Sequence, residues 1–299
     1  GYYQNFSDAH NLMSYRHTRA HNSLLVNGIG QPYSTEGYGS VMRAMGGQHI
    51  SYCLGDASHA YRGISNDPMW VGYFKQAGIE QTPENGFGAT PLTKYRRHVL
   101  MLHPHTVIVY DELEASEAVR WEWLLHSPTE FKMDVTKKTL STNNKTKGWV
   151  AVTQLFGGHV FTLSQTDRFV VPSAITGAEY PNQWHLTARV DGCSATRFLA
   201  IIQVGDEAVS IINRDGDTFN VGDWTIKAVL DASKAPELAV SHRTEQAVFS
   251  YGTDNPALNG NFYSRQYTGS SLLYDEIDGA YQVVEMTDRS PISTRVVNQ

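Results

Sequence analysis

"RRHVLMLHPHTVIVYDEL", residues 96–113, carries two apolar runs on either side of a His-Pro-His turn. Apolar runs of this length that meet at a short turn predict two antiparallel strands. Similar runs recur along the chain, separated by turn sequences such as Asn27-Gly28, a strong hairpin signal. The other predicted strands are 23–28, 49–56, 120–127, 149–156, 159–165, 183–190, 196–205 and 208–217.

This pattern indicates a single fold class, because no heptad, internal repeat or long helical period interrupts it. We therefore predict an all-β chain, folded as a large antiparallel β-sandwich of the supersandwich type with few short helices. Residues 66–95 differ, with three Pro, four Gly and little periodicity. They predict a long loop that is either functional or poorly ordered.

Two domain divisions fit the sequence. Residues 1–212 are predicted to form the main β-sandwich, and the more polar residues 213–299 a terminal β extension or smaller sheet. One continuous sandwich is the open alternative.

Composition excludes several classes of protein. The 299 residues are 41% hydrophobic, which predicts a globular chain with a sizeable core. A net charge of −6 without a long basic run argues against a nucleic-acid partner. No apolar stretch approaches the length of a membrane span. Cys53 and Cys193 are too few for a disulfide framework. Because the chain begins Gly-Tyr-Tyr without Met, we expect a processed piece of a longer protein.

The stretch "SYRHTRAHNSLLVNG", residues 14–28, places His17 and His21 four residues apart and then continues into an apolar strand. The spacing alone favours a helix, whereas Ser-Leu-Leu-Val favours extended backbone. We predict an extended approach to the strand, with His17, Arg19 and His21 on one face. Such a polar face is costly to bury and suits water, a metal or an anion.

Chemically useful side chains are concentrated in residues 2–22. Histidine supplies acid–base chemistry or metal ligation near neutral pH, tyrosine can transfer protons, and arginine binds carboxylates and sulfates as a fork. The group as a whole is suited to an acidic sugar, with exposed N-terminal surface residues as the plain alternative. His126 and His185 are predicted to be hydrogen-bonded histidines on the sheet face. The sequence lacks a G-x-S-x-G elbow, a P-loop and an H-E-x-x-H motif.

The segment "YRHTRAHNSLLVNGIGQP", residues 15–32, resembles the C-terminal β-sandwich domain of heparinase II/III-like polysaccharide lyases. Members of that group carry Thr-x-Ala-His-Asn, an apolar run and Gly-x-Gly-Gln. Three later stretches fit the same family in the same order, so the resemblance extends over about residues 1–210: "GDASHAY" (55–61), "YRRHVLMLHPHTVIVYDELEA" (95–115) and "WEWLLHS" (121–127).

The resemblance implies a polysaccharide lyase that cleaves a uronic-acid-containing glycan by β-elimination. It implies an N-terminal α/α-barrel domain, absent from this chain, and an active cleft between the two domains. An acidic polysaccharide or oligosaccharide is the implied substrate, and the implied location is the bacterial periplasm, the cell surface or the medium. The isolated chain is expected to be inactive.

The resemblance also suggests roles for individual residues. Tyr3 and His10 are predicted to be catalytic residues that line the cleft, and Arg16 is predicted to neutralise a carboxylate or sulfate. Several enzymes of the group hold a zinc ion, for which His21 is the matching ligand and the other ligands are expected upstream of this chain. The predicted substrate-binding residues are Tyr2, Arg19 and Asn22.

Two other functions fit the same sequence and predict different surfaces. A carbohydrate-binding module predicts coplanar exposed aromatic rings. A purely structural sandwich predicts a large exposed apolar patch where its partner binds. The lyase hypothesis predicts that His10, Arg16 and His21 converge on one open edge.

Overall fold

A computed structural model describes residues 5–144, 149–174, 182–205, 212–252, 255, 257–258, 261–262, 264–288 and 293–295. Within these ranges the chain forms two large antiparallel sheets. The first sheet contains ten described strands: β1 Leu24–Val26, β2 Ser40–Gly46, β3 Ile50–Asp56, β4 Leu92–Leu102, β5 Thr106–Ser127, β6 Lys132–Asp134, β7 Thr139–Asn144, β8 Trp149–Gly157, β9 Thr162–Thr166 and β10 Trp184–Gly205.

The hairpin predicted from residues 96–113 is present as β4 and β5, joined at residues 103–105, with Arg97 opposite Asp111. β5 and β10 are each 22 residues long, whereas the sequence predicted two strands in each region. The middle of β5 is exposed and polar around Glu114, so apolar alternation is lost there although the ladder continues. In β10 the pairing shifts at Val190 and Cys193, which marks a bulge.

The second sheet contains eight described strands: β11 Ile212–Asp215, β12 Thr218–Val221, β13 Trp224–Ala228, β14 Leu238–His242, β15 Val248–Tyr251, β18 Ser271–Ile277, β19 Ala280–Met286 and β20 Ser293–Arg295. A short separate pair is formed by β16 Ala257–Leu258 and β17 Asn261–Phe262.

The two sheets share one apolar core. It includes Ile50 and Leu199 of the first sheet and Phe219, Ile226 and Leu273 of the second. The all-β sandwich prediction is confirmed. The chain passes from one sheet to the other between Gly205 and Ile212, but the division into two domains at residue 212 stays a prediction.

Helical structure is short and lies near the N-terminal segment. A π-helical turn covers Asn11–Tyr15, 3₁₀ turns cover Thr18–Ala20 and Pro83–Asn85, and the helix α1 covers Pro68–Gln76. In the part of the chain that the structure describes, none of these is long and apolar enough to cross a membrane.

The prediction of one long loop at 66–95 is wrong, because the helix α1 occupies Pro68–Gln76 and the strand β4 begins at Leu92. Asp67 caps the helix by accepting a hydrogen bond from the Met69 amide at 3.0 Å, and Pro68 occupies its first turn. Phe74 on this helix packs with Leu12 of the π-helical turn, which fixes the helix against the N-terminal segment.

The approach to β1 combines both kinds of backbone. Thr18–Ala20 is a single 3₁₀ turn, while His21 is extended, with φ −127° and ψ 154°. The extended approach is therefore confirmed at His21. The common face for His17, Arg19 and His21 is wrong, because the turn buries His17 completely and leaves His21 exposed.

Candidate functional site

A surface pocket of about 450 Å³ lies between the N-terminal segment, the chain after β1 and the start of α1. Its polar and aromatic lining includes Arg16, His21, Gln31, Tyr33, Asp67 and Trp70. Concave sites with a few convergent polar groups are the usual form of ligand sites.

Arg16 supplies the positive charge of the pocket. Its guanidinium lies 4.6 Å from the centroid of the Trp70 ring and 5.5 Å from that of Phe6, which are cation–π distances. Its Nε donates to Oδ1 of Asn11 at 3.3 Å. Among the described residues no carboxylate forms an ion pair with Arg16. The pocket therefore presents a cation that can bind a carboxylate or sulfate.

His21 reaches the same pocket from the end of the 3₁₀ turn. Desolvation by the surrounding protein lowers the pKa of His21, and the charge of Arg16 lowers it further. The Arg16 backbone acts in the opposite direction without outweighing these effects. A neutral imidazole carries a proton on one nitrogen and a lone pair on the other. The unprotonated ring nitrogen of His21 can therefore accept a hydrogen bond from a ligand or coordinate a metal.

Histidines of the first sheet support the segment that carries His21. His126 on β5 has Nε2 2.9 Å from the Arg19 carbonyl oxygen, and its backbone amide donates to Oδ1 of Asn22 at 2.8 Å. Its ring lies edge-on to that of His185, 4.6 Å away. Burial, and then the neighbouring His185, lower the pKa of His126 to about 4. His126 is therefore a hydrogen-bonded, neutral support at neutral pH, and His185 packs against its ring.

His17 and Arg19 form a second support on the other side of the turn. Nδ1 of His17 accepts from the backbone amide of Arg19 at 3.1 Å and from its Nε at 3.0 Å. Its Nε2 therefore donates to the Gly86 carbonyl at 2.9 Å. Burial, with the adjacent Arg19 charge, lowers the pKa of His17 to about 3. Arg19 donates to the Asn85 carbonyl at 3.0 Å.

This packing requires glycine at position 86. Gly86 has φ +88°, and a Cβ there would lie 2.2 Å from Nη2 of Arg19 and 2.6 Å from Nε2 of His17. The missing side chain lets the 83–88 loop close over the turn.

The predicted site residues are only partly brought together. Arg16 and His21 share the pocket. Arg19 does not line it and instead contacts His17 and Asn85. Asn22 does not line it either, and its side chain accepts a hydrogen bond from the His126 amide. His10 is 4% exposed, with Nδ1 2.7 Å from the Val171 carbonyl oxygen, and does not line the pocket. The three-residue convergence on an open edge is therefore not observed. Tyr2 and Tyr3 lie outside the described residues.

Sequence reasoning missed Tyr33, Asp67 and Trp70 as lining residues. Burial raises the pKa of Tyr33, whose hydroxyl donates to the Leu12 carbonyl at 2.6 Å. Tyr33 therefore forms a wall of the pocket, and its proton is held by the Leu12 carbonyl. The signal for Asp67 and Trp70 was the Asp-Pro pair, which is typical of a helix start.

A zinc ion, which the family resemblance implies, needs three or four protein ligands. No group of three His, Cys, Asp or Glu side chains converges within the ranges that the structure describes. His21 and its described neighbours do not by themselves complete a zinc site.

A family model described as "Heparinase II/III-like, C-terminal" matches residues 1–188. The chain belongs to this family. The matched range of the heparinase II/III-like chain includes the whole pocket and β1 to β9, and ends within β10. The sequence matches no curated protein.

Solved structures with a similar fold include heparinase III proteins and a heparan sulfate lyase. A heparinase III with methylated lysines aligns with a TM-score of 0.52 and 13% identity over 79% of this chain and 30% of its own length. A mutant of the heparan sulfate lyase HepC from Pedobacter heparinus gives 0.50 and 13% over 79% and 31%. Another heparinase III gives 0.51 and 14% over 89% and 32%. The heparinase II/III-like chain thus spans about a third of these proteins, and at such identities the likeness supports the fold alone.

Proposed function

We propose that this heparinase II/III-like domain belongs to a polysaccharide lyase that cleaves a uronic-acid-containing glycan by β-elimination. The observation that carries the proposal is the placement of Arg16 and His21 in one pocket. A guanidinium that forms no ion pair with the described carboxylates, in one pocket with a neutral imidazole, is suited to an acidic sugar. Family membership makes a lyase the favoured class.

Arg16 has the central role in this proposal. In β-elimination a base removes the C5 proton, the C–H electron pair forms the C4–C5 double bond, and the C4–O4 bond breaks as O4 takes a proton. Negative charge builds on the C6 carboxylate while the C5 proton leaves. A guanidinium already in place stabilises that charge, which is the main electrostatic contribution to such a step.

His21 lines the same pocket as Arg16, which would bind the C6 carboxylate. The unprotonated ring nitrogen of His21 is then available to the sugar. Tyr3 and His10 stay the predicted catalytic residues that line the cleft. His10 would have to leave the Val171 carbonyl to reach a substrate. The proposed partner is an N-terminal α/α-barrel domain of the complete enzyme that closes the cleft. If zinc is bound, His21 would need ligands from outside the described residues. The proposed location is the bacterial periplasm, the cell surface or the medium, which cell fractionation would check.

The test uses the complete enzyme that contains this chain. It is incubated with a panel of uronate polymers and one neutral polymer, and ultraviolet absorbance follows the new unsaturated uronate. We expect product from at least one uronate polymer, and a large loss of rate in His21→Ala. Binding without product from any polymer would replace the lyase with a carbohydrate-binding module. An unchanged rate in His21→Ala would remove His21 from the site.

A further inference from the structure

The face of the first sheet that points away from the second sheet carries an ion pair with a buried carboxylate, next to the segment that holds His21. Arg97 on β4 lies directly opposite Asp111 on β5. Nε and Nη2 of Arg97 donate to the two carboxylate oxygens of Asp111 at 2.7 and 2.8 Å. Nε1 of Trp123 adds a third donor at 2.9 Å. Asp111 is 1% exposed, so this fork is fixed in orientation.

The remaining nitrogen of the fork points at the candidate site. Nη1 of Arg97 donates to the backbone carbonyl of Asn22 at 2.6 Å, and Asn22 is the residue after His21. Arg97 itself does not line the pocket. Its effect on a ligand must therefore pass through the backbone at Asn22.

Neighbouring hydrogen bonds also hold the segment around Asn22, which restricts the movement of its backbone. The Tyr61 hydroxyl donates to the Leu24 carbonyl at 2.6 Å, and the Leu124 amide donates to the Ser23 carbonyl at 3.0 Å. With His126 on Asn22 and Arg19, the backbone is held on both sides of His21. Arg97 is the charged member of this set, and its guanidinium joins the Asn22 carbonyl directly to the Asp111 carboxylate.

We propose that Arg97, fixed by Asp111, is a positioning residue that holds the backbone at Asn22 and thereby places His21 in the pocket. This inference rests on the proposed function of that pocket. A lysine can keep the charge but not the planar fork, so it cannot hold Asp111 through two bonds and Asn22 through a third.

The test compares Arg97→Lys with Arg197→Lys. Arg197 is a matched control, because it is 5% exposed and also donates to backbone carbonyls, those of Val229, Asp231 and Lys234, away from the pocket. In the complete enzyme, Arg97→Lys should lower kcat by about 10- to 100-fold, the effect of a misplaced group. KM should change by less than about twofold. Arg197→Lys should change neither constant.

A second measurement uses this chain without substrate. In ¹H–¹³C spectra at fixed pH, the His21 ring signal should move in Arg97→Lys and stay in place in Arg197→Lys. Asp111→Asn should reproduce the shift and the kcat loss, and the double variant should be no worse than the single ones, because the pair acts as one unit.

The two proposals fail in different ways. A complete enzyme that forms no unsaturated product overturns the proposed function, while the ring signal still reports on Arg97. Wild-type kcat in Arg97→Lys, or an unmoved His21 signal, overturns the positioning role. Equal effects in Arg97→Lys and Arg197→Lys would also overturn it, since they would indicate a general loss of stability.

Discussion

Two charged clusters, each built on a buried carboxylate, occupy opposite faces of the same pair of strands, and they serve different parts of the molecule. Arg97 and Asp111 point away from the second sheet and bond to Asn22 beside the pocket. His98 and Glu112, the next residues along the chain, point toward the second sheet, where Tyr251 meets them. A strand sends successive side chains to opposite faces. The β4–β5 hairpin therefore carries two clusters one residue apart. One supports the segment beside the pocket, and the other joins the two sheets.

The inner cluster is the more completely enclosed one. Nε2 of His98 donates to Oε1 of Glu112 at 2.9 Å, and the Tyr251 hydroxyl donates to the same oxygen at 2.9 Å. The Tyr52 hydroxyl lies 3.0 Å from Nδ1 of His98. Lys94 lies 2.7 Å from the other Glu112 oxygen. Every polar side chain here spans or supports the contact between sheets, so changes should affect stability more than binding.

The largest expected effect comes from removing the inner carboxylate. Glu112→Ala should lower the free energy of unfolding by about 3–5 kcal/mol, because Lys94, His98 and Tyr251 lose a shared buried partner. Urea unfolding measures the change. Glu114→Ala is the matched control, since Glu114 is exposed on the same face of β5 and also contacts Lys94. The control should change stability by less than about 0.5 kcal/mol. Equal losses would show that burial does not distinguish these carboxylates.

Acid should act on the same cluster. Burial favours a higher pKa for Glu112, but the His98 hydrogen bond and the Lys94 charge outweigh it and hold this pKa at about 2, below the ordinary 4.5. The unfolded chain therefore binds a proton first, and stability falls as pH drops from 4.5 toward 2, by about 3 kcal/mol in total. Burial also lowers the pKa of His98, which starts the decline below pH 6.5.

Unfolding curves at several pH values test this, with Glu112→Gln as the comparison. The variant should lose the part of the decline between pH 4.5 and 2. An identical pH dependence in both proteins would contradict the role given to Glu112.

The third prediction concerns the pocket side of the molecule, where Gly86 packs against His17 and Arg19. Gly86→Ala should destabilise the chain by about 1–3 kcal/mol beyond the backbone cost, since a Cβ would overlap the hydrogen-bonded side chains of His17 and Arg19. Gly78→Ala is the control, because Gly78 has φ +65° but open space around it. It should cost only the left-handed backbone term of about 1–2 kcal/mol. Equal unfolding temperatures for the two variants would show that the 83–88 loop moves to accommodate the added Cβ without a further cost.

The features that could be predicted from the sequence are those determined by residues close together in the chain. The β4–β5 hairpin and the Asn27-Gly28 turn follow from alternation and turn residues, and Asn27 and Gly28 have φ of 56° and 81° as that turn requires. The presence of Arg16 and His21 in one pocket followed from the family resemblance and their closeness in sequence.

Long-range contacts were not predictable in the same way. The burial of His17 depends on Gly86, and the position of Asn22 depends on Arg97, 75 residues away. Nothing in residues 14–28 indicates these partners. The helix α1 was missed because its Gly and Pro residues suggested a loop, although Asp67-Pro68 is a helix start. Because the helix was not predicted, Trp70 was not predicted as a wall of the pocket either.

The most direct test of the central claim is the rate of unsaturated-uronate formation by the complete enzyme carrying Arg16→Gln. Arg243→Gln is the control, since Arg243 is an exposed arginine in the connection between β14 and β15. If Arg16 neutralises the developing charge, kcat should fall by about 10²–10³-fold in Arg16→Gln and stay at the wild-type value in Arg243→Gln. Wild-type kcat in Arg16→Gln would contradict the account.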